Sequence, residues 1–377
     1  MYKKVLVIDA SSAVTGAFKS AIYTAKALGG ARNVLFAVPF GSEVISLLDK
    51  EDYDFIELRM FGIRKSFFSL VLYLPFMIID TIRVRLYINN NKIEVIIVND
   101  YDNLIGCCLK ILGWRGRLYT FVRRIPSSQM ALLARFWLRS AFRFSDRVLG
   151  VSSAVVREFP ESKKSIRLYN AIDIKRHYEN AEFPEGSFSK FVCIGNYMHD
   201  KGQGDVLEAF HQAYLLNSNI KIDFYGGDLG RKKNRKYKSF LKCRAEDLGI
   251  SHLASFHDFS SDVEEIMVNS HVVLSCGYAE SFSRVCVEAG WFQRPVIATK
   301  CGGPEEIIEH NVTGILVGVG DVESIANAIV HMAESSKRCE VMGLKARDRV
   351  VEKFSYDVFE TSLRKIIDMR PLNKTVM

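Results

Sequence analysis

Polar and apolar positions along the chain alternate with two periods. Short β-branched or apolar runs read as buried strands: residues 4–9 (KVLVID), 33–38 (NVLFAV), 94–99 (EVIIVN), 117–122 (RLYTFV) and 147–152 (RVLGVS). Four more follow at 190–196 (KFVCIGN), 221–226 (KIDFYG), 271–276 (HVVLSC) and 294–299 (RPVIAT). The segments between them carry helical spacing, as in 205–216 (DVLEAFHQAYLL) and 324–334 (SIANAIVHMAE). Strands alternating with helices at this interval form βαβ units and parallel sheets. The alternation breaks once, over 170–188 (NAIDIKRHYENAEFPEGSF), a polar stretch with Pro and Gly, and restarts at Lys190. The pattern therefore predicts an α/β protein of two Rossmann-like, doubly wound domains facing a cleft, residues 1–172 and 173–354. In such sheets ligands sit beyond the carboxyl ends of the strands, so the loops there are where chemistry is sought.

Length supports two domains: the chain has 377 residues, and single cores stop growing at roughly 250–300. A hydrophobic content of 48% with 25% charged residues is that of a soluble globular protein. Met1-Tyr2-Lys3-Lys4 runs straight into the first strand, so no signal peptide is expected. The uncharged run 66–79 (SFFSLVLYLPFMII) is shorter than the roughly 20 residues of a membrane span, and Pro75 is expected to interrupt it. The eight Cys form no C-x-x-C pair and mostly lie in apolar runs, which points to reduced thiols in a cytoplasmic protein rather than disulfides or zinc. All eight His come after residue 176, so the first half offers no histidine base or ligand.

The net charge of +8 is unevenly placed. Residues 115–147 hold eight Arg and one acid, Asp146, and 231–238 (RKKNRKYK) hold six basic residues in eight. Such patches favour anionic partners, whether phosphate groups, lipid headgroups or nucleic acid. The run 231–238 reads as a solvated helix face. Arg135, Arg139, Arg143 and Arg147 recur at every fourth position of 128–147, beside Leu133, Phe136, Trp137 and Phe144. That is a basic amphipathic helix, suited either to its own sheet or to an anionic membrane surface.

Several loops carry candidate chemistry. In 195–202 (GNYMHDKG) a strand ends at Gly195, and Lys201 stands at a helix start, where the dipole disfavours a cation. The placement suits a phosphate held jointly by Lys201 and backbone N–H groups, or else an ordinary turn with a solvated Lys. Gly226 and Gly227 end another strand and permit close backbone approach, or form a plain turn. Gly16 stands near a helix start after the first strand, without the G-x-G-x-x-G fingerprint of dinucleotide binders. Asp100 and Asp102 form an Asp-x-Asp after a buried strand, read as an N-cap with first-turn acids rather than a metal site. In 280–303 (ESFSRVCVEAGWFQRPVIATKCGG) Glu280 and Glu288 flank a short apolar segment that Ser281 or Ser283 can cap. With a helix between them their backbones stand about 10–12 Å apart. A retaining glycosidase pair needs carboxyls only about 5–5.5 Å apart, so two separate contacts along an extended ligand fit better. Surface carboxylates pairing with Arg284 or Arg294 are the plainer reading.

Together these stretches resemble the retaining GT-B glycosyltransferases of family 4, the glycosyl transferases group 1. The resemblance is carried by ESFSRVCVEAG, RPVIATKCGG, PEEII, NVTGILV, GNYMHDKG, YNAID and SDRVLGVSS; it is dense in the second half and loose in the first. It implies an enzyme that moves a sugar from a UDP- or GDP-sugar to a glycan or lipid-linked acceptor, in surface polysaccharide biosynthesis, with no metal and no other cofactor. By position it gives Glu288 the donor ribose, Glu280 the transferred sugar and Lys201 the diphosphate; Glu280 and Lys201 are the catalytic pair. Gly195, Asn196, Gly226, Gly227, Ser281, Phe282, Ser283, Arg284 and Gly16 complete the expected donor site, and Arg123 and Arg124 are expected at the acceptor. Residues 355–377 resemble the helix that crosses back to the first domain. The expected partners are the nucleotide sugar, the acceptor and an anionic membrane surface, not nucleic acid, and the expected location is cytoplasmic, peripheral on the inner face of the membrane. Three positions depart from the family pattern. Asn196 replaces a diphosphate-binding Arg, Arg123 a His, and Ser281 and Ser283 two glycines. Those departures keep two other readings in view, a GT-B-like sugar-nucleotide epimerase and a non-catalytic GT-B binding module.

Overall fold

A computed structural model describes residues 4–60, 67–172, 182–186 and 189–369, without the side chains of 67–72 and 74. Most of the break at 170–188, residue 66 and residues 370–377 lie outside the described residues. The chain divides into two units, Met1–Ala171 with Tyr356–Met377, and Ile172–Ser355.

The first unit is built on seven parallel strands: β1 (Val5–Ile8), β2 (Val34–Pro39), β3 (Phe55–Leu58), β4 (Val95–Val98), β5 (Arg117–Val122), β6 (Arg147–Gly150) and β7 (Ser165–Arg167). Their order is β3-β2-β1-β4-β5-β6-β7, with Val5 of β1 in register with Val34 on one side and Val95 on the other. The interior strands are mostly apolar because helices cover both faces of the sheet. Those helices are α1 (Gly16–Ala27), α2 (Val44–Lys50), α3 (Phe67–Asn91), α4 (Ile105–Ile111), α5 (Ala131–Phe144) and α6 (Ser153–Val156). The crossovers β3–β4, β4–β5 and β5–β6 all run the same way across the sheet, so right-handed connections put α3, α4 and α5 in one layer. Within that layer α4 packs against both α3 and α5.

The second unit has six parallel strands: β8 (Ser189–Ile194), β9 (Ile220–Tyr225), β10 (Ala254–His257), β11 (Val272–Ser275), β12 (Val296–Thr299) and β13 (Gly314–Val317). Their order is β10-β9-β8-β11-β12-β13, the doubly wound pattern again. Its helices are α7 (Gln203–Leu216), α8 (Lys232–Asp247), α9 (Val263–Val268), α10 (Arg284–Trp291), α11 (Pro304–Ile307), α12 (Val322–Ala333) and α13 (Ser336–Phe354). The chain then returns to the first unit as α14 (Tyr356–Asp368), which packs on α1. Arg117 and the Tyr119 hydroxyl both donate to the Ile367 carbonyl, at 2.6 and 3.2 Å.

All nine strands expected from the sequence are present, and the four that went unexpected, β3, β7, β10 and β13, are the four sheet edges. Two other expectations are corrected. Pro75 does not interrupt its run but lies inside the 25-residue α3. A prolyl ring removes one N–H and crowds the preceding turn, which bends a helix without always ending it. Arg147 is not on the arginine-striped helix: α5 ends at Phe144, and Arg147 is buried at the start of β6 with its guanidinium on the Asp146 carbonyl. No helix among the described residues is long and apolar enough to cross a membrane. All eight cysteines are free, and five of them are buried.

Arg294, just ahead of β12, is wholly buried. Its guanidinium donates to the carbonyls of Met267, Val268, Phe292, Gln293 and Glu182, at 2.7 to 3.3 Å, and stacks over Phe183. Burial pulls its pKa down to about 10, which leaves it charged at neutral pH. Beside it the buried His271 accepts a hydrogen bond from the Lys190 amide at Nδ1 (3.0 Å). Burial first, then the Arg294 charge, push this imidazole below its usual pKa of 6.5. The unfolded chain then binds the proton more readily than the folded one, so stability is lost as pH falls below the unfolded value. Melting between pH 7 and 5 is expected to be less pH-dependent in His271→Asn, by at most about 1.4 kcal/mol per pH unit. Parallel slopes for the two proteins would remove His271 from the account.

Candidate active site

In the second unit the loops beyond β8, β9, β11 and β12 converge through backbone contacts. Gly195 follows β8, and a Cβ on Gly226 would stand 2.0 Å from the Gly195 carbonyl oxygen, so only glycine allows that approach. The Tyr197 amide donates to the Gly227 carbonyl (2.9 Å), and Gln203 Nε2 donates to the Gly195 and Asn196 carbonyls at 3.2 and 3.0 Å. A Cβ on Gly227 would lie 3.3 Å from Asn196 Oδ1, which places Asn196 against the β9 loop.

Lys201 ends a single 3-10 turn, His199–Lys201, and Gly202 starts α7 from the left-handed region at φ 69°. Any Cβ on Gly202 would meet the Cys276 carbonyl oxygen at 2.0 Å, so this glycine is fixed by both conformation and space. The turn aims Lys201 at the β11 loop, where Nζ donates to Glu280 Oε1 at 2.5 Å. Burial works against the charged ammonium, but the adjacent Glu280 carboxylate outweighs it and holds the Lys201 pKa above its usual value. Glu280 is pinned through its backbone: its amide donates to the Cys301 carbonyl (3.2 Å), and its carbonyl accepts from the Gly303 amide (2.6 Å).

Past Glu280 the Phe282 ring is buried, edge-on to Phe354 of α13 with centroids 5.9 Å apart. Ser283 caps α10, its Oγ accepting from the Cys286 amide at 3.4 Å, and lies 3.3 Å from Ser275 Oγ. That hydroxyl is therefore spent on holding the helix start. One turn on, Arg284 donates to Glu288 Oε1 at 2.9 Å across an i,i+4 spacing. Both carboxylates read from the sequence thus carry a cation of their own, Lys201 on Glu280 and Arg284 on Glu288. Ser281 lies in the same loop. Arg294 pairs with neither, its donors being occupied by carbonyls.

In the first unit Gly16 opens α1 behind the Thr15 cap. Arg123 is buried over the Phe121 ring, its Nε donating to the Asn99 carbonyl and Oδ1 (3.1 and 2.7 Å) and Nη1 to Asn170 Oδ1 (2.6 Å). Asn99 in turn donates to Asp9. Neither Asn99, Asp9 nor Asn170 was singled out from the sequence; Asn99 and Asp9 are 90 residues apart, and no spacing rule links such positions. Arg124 Nε and Nη2 reach Asp100 (2.7 Å) and Asp102 (2.6 Å). The Asp-x-Asp is therefore a clamp on Arg124, not the expected cap of α4. The N-cap position of α4 is Leu104, and just ahead of it Asn103 Oδ1 accepts from the Ile105 amide at 3.0 Å. The clamp forms because Arg124 follows β5, next to β4 in the sheet. Among the described residues no group of three or more His, Cys, Asp or Glu could hold a metal ion.

Two doubly wound units with loops of this kind at the strand ends define a GT-B glycosyltransferase fold. The solved structure of Anabaena Alr3699/HepE with UDP and glucose superposes with a TM-score of 0.81, at 19% identity, over 98% of this chain and 100% of that one. Sucrose-phosphate synthase from Thermosynechococcus elongatus gives 0.77 at 15% identity, over 97% and 98%. Residues 175–349 match the profile of the family described as Glycosyl transferases group 1. It is 26% identical to an N-acetyl-alpha-D-glucosaminyl L-malate synthase of Bacillus anthracis over 228 residues, 58% of each chain. It is 32% identical to the human alpha-1,3/1,6-mannosyltransferase ALG2 over 192 residues, 49% of this chain and 46% of that one. The chain thus spans about half the length of these two relatives.

Proposed function

We propose that the protein is a retaining, metal-independent glycosyltransferase that moves a hexose-type sugar from a UDP- or GDP-sugar to a glycan or lipid-linked acceptor. The observation that carries this reading is the Lys201–Glu280 pair, fixed by Gly202 and by the Glu280 backbone among glycine loops that lie within the stretch matching the group 1 profile. Lys201 holds the diphosphate and offsets the negative charge that grows on it as it leaves. Glu280 lies at the transferred sugar, and Glu288, steadied by Arg284, takes the ribose hydroxyls. The acceptor hydroxyl oxygen bonds to the anomeric carbon on the face from which the diphosphate departs. The bond from that carbon to the phosphate oxygen breaks with its electron pair on the oxygen, which also receives the hydroxyl proton. No protein nucleophile takes part.

The first experiment is a thermal-shift series over UDP- and GDP-sugars, with N-acetylglucosamine and mannose donors first because the relatives' names point there. A true donor at 100 times its dissociation constant is expected to add about 2.7 kcal/mol of stability. The same donor is then incubated with and without glycan acceptors. Isomerised nucleotide sugar without acceptor would replace this reading with an epimerase. Absence of stabilisation by every donor would replace it with a binding module.

A further inference from the structure

We propose that the outer face of the α3–α4–α5 layer is a docking surface for a bilayer that contains anionic lipid. Three observations meet there. First, the layer exposes large apolar side chains on all three helices: Ile82 and Leu86 on α3, Ile111 on α4, and Leu132 and Phe136 on α5. Leu132 is 82% exposed and Phe136 55%, although Trp137 and Leu138 of the same helix are buried. Single exposed apolar residues are ordinary, but a set shared by three packed helices is not.

Second, the three helices contain one acid, Asp80, against six basic residues. Asp80 is buried, its carboxylate accepting from the Arg59 and Met60 amides at 3.1 and 2.8 Å. It therefore offers no negative charge to the surface. Third, Arg135, Arg139 and Arg143 of α5 are exposed, and among the described residues no carboxylate pairs with them.

Charge chooses the occupant. A second copy seated on the same face would set arginine stripes against each other, and like charges at an interface repel. A nucleic acid would match the charge but leave the Leu and Phe side chains without an apolar environment. A layer of helices with unopposed arginines around exposed Leu, Ile and Phe matches both the headgroups and the acyl boundary of an anionic bilayer. The inference does not depend on the proposed transfer reaction, because binding is read without turnover.

The test is flotation of the whole protein with phosphatidylcholine vesicles, with and without phosphatidylglycerol, at low and high salt. Binding is expected only with the anionic lipid, weakening as salt screens the arginines. Replacing Arg135, Arg139 and Arg143 together by Gln is expected to lower partitioning about 100-fold, near fivefold per basic residue. Leu132→Ser with Phe136→Ser is expected to lower it about tenfold or more. Both variants alter exposed positions, so their melting should stay close to that of the native protein. Three results would each overturn the proposal: no flotation at low salt, equal flotation with neutral vesicles, or a native dimer that the Leu132 and Phe136 changes convert to monomer.

Discussion

Lys201→Ala is expected to lower kcat about 100- to 1000-fold, the cost of deleting one preorganised charge-stabilising donor. The change does more than remove a cation. Glu280 stays where it is, because its backbone is held by Cys301 and Gly303, and its carboxylate is left without the ammonium that neutralises it. In the proposed site that carboxylate would stand near a diphosphate gaining negative charge. Lys201→Ala with Glu280→Gln is therefore expected to lose less than the product of the two single losses, a coupling that a double-mutant cycle reads directly. The fold should tolerate the change: both side chains keep some solvent contact, 32% and 19%, so the pair contributes modestly to stability. Turnover within threefold of native for Lys201→Ala, under single-turnover conditions, would remove Lys201 from the chemistry.

The largest stability effect is expected at Arg294. Replacing it by Met leaves a side chain of similar length but takes the guanidinium away from five carbonyls, of which that of Met267 keeps the Ser270 amide and hydroxyl as donors. A buried acceptor without a donor costs about 1–3 kcal/mol, and some relief by water brings the expected loss to about 4 kcal/mol or more. For a domain of this size that corresponds to a fall in Tm of about 10 °C. Arg294→Lys should recover only part of this, since an ammonium has three donors and no planar fork. Melting of Arg294→Met within a degree or two of native would mean that the carbonyls find other partners.

The interior of both sheets was legible in the sequence because strands buried on two faces are continuously apolar. The edges were not, and the reason is physical. β3, β7 and β10 each pair on one side only and are partly exposed, so phrases such as FIEL, SIR and ASFH carry no continuous apolar run. β13 reads GILV and is mostly buried, but its first residue is a glycine, which weakens a strand signal. Within the candidate site the loops were legible, since Gly195, Lys201, Gly226 and Glu280 stand at strand ends in the text itself. Pairing was less so. Lys201 meets Glu280 across 79 residues, and Arg123 meets Asn170 across 47, through strand order that local spacing does not encode. The Asp-x-Asp shows the converse hazard, a local pattern whose partner comes from the neighbouring strand.

The return of the chain as α14 has a consequence for synthesis. The second unit is one continuous stretch, Ile172–Ser355, and can close as soon as it has left the ribosome. The first unit cannot, although it is made first. The Arg117 and Tyr119 side chains wait for the Ile367 carbonyl, some 250 residues downstream. During that interval the nascent chain carries an unfinished first unit, its α1 surface uncovered, while a complete domain is built behind it. Domains that finish in the order of their synthesis avoid such a wait. Here the last helix decides when the first sheet is whole.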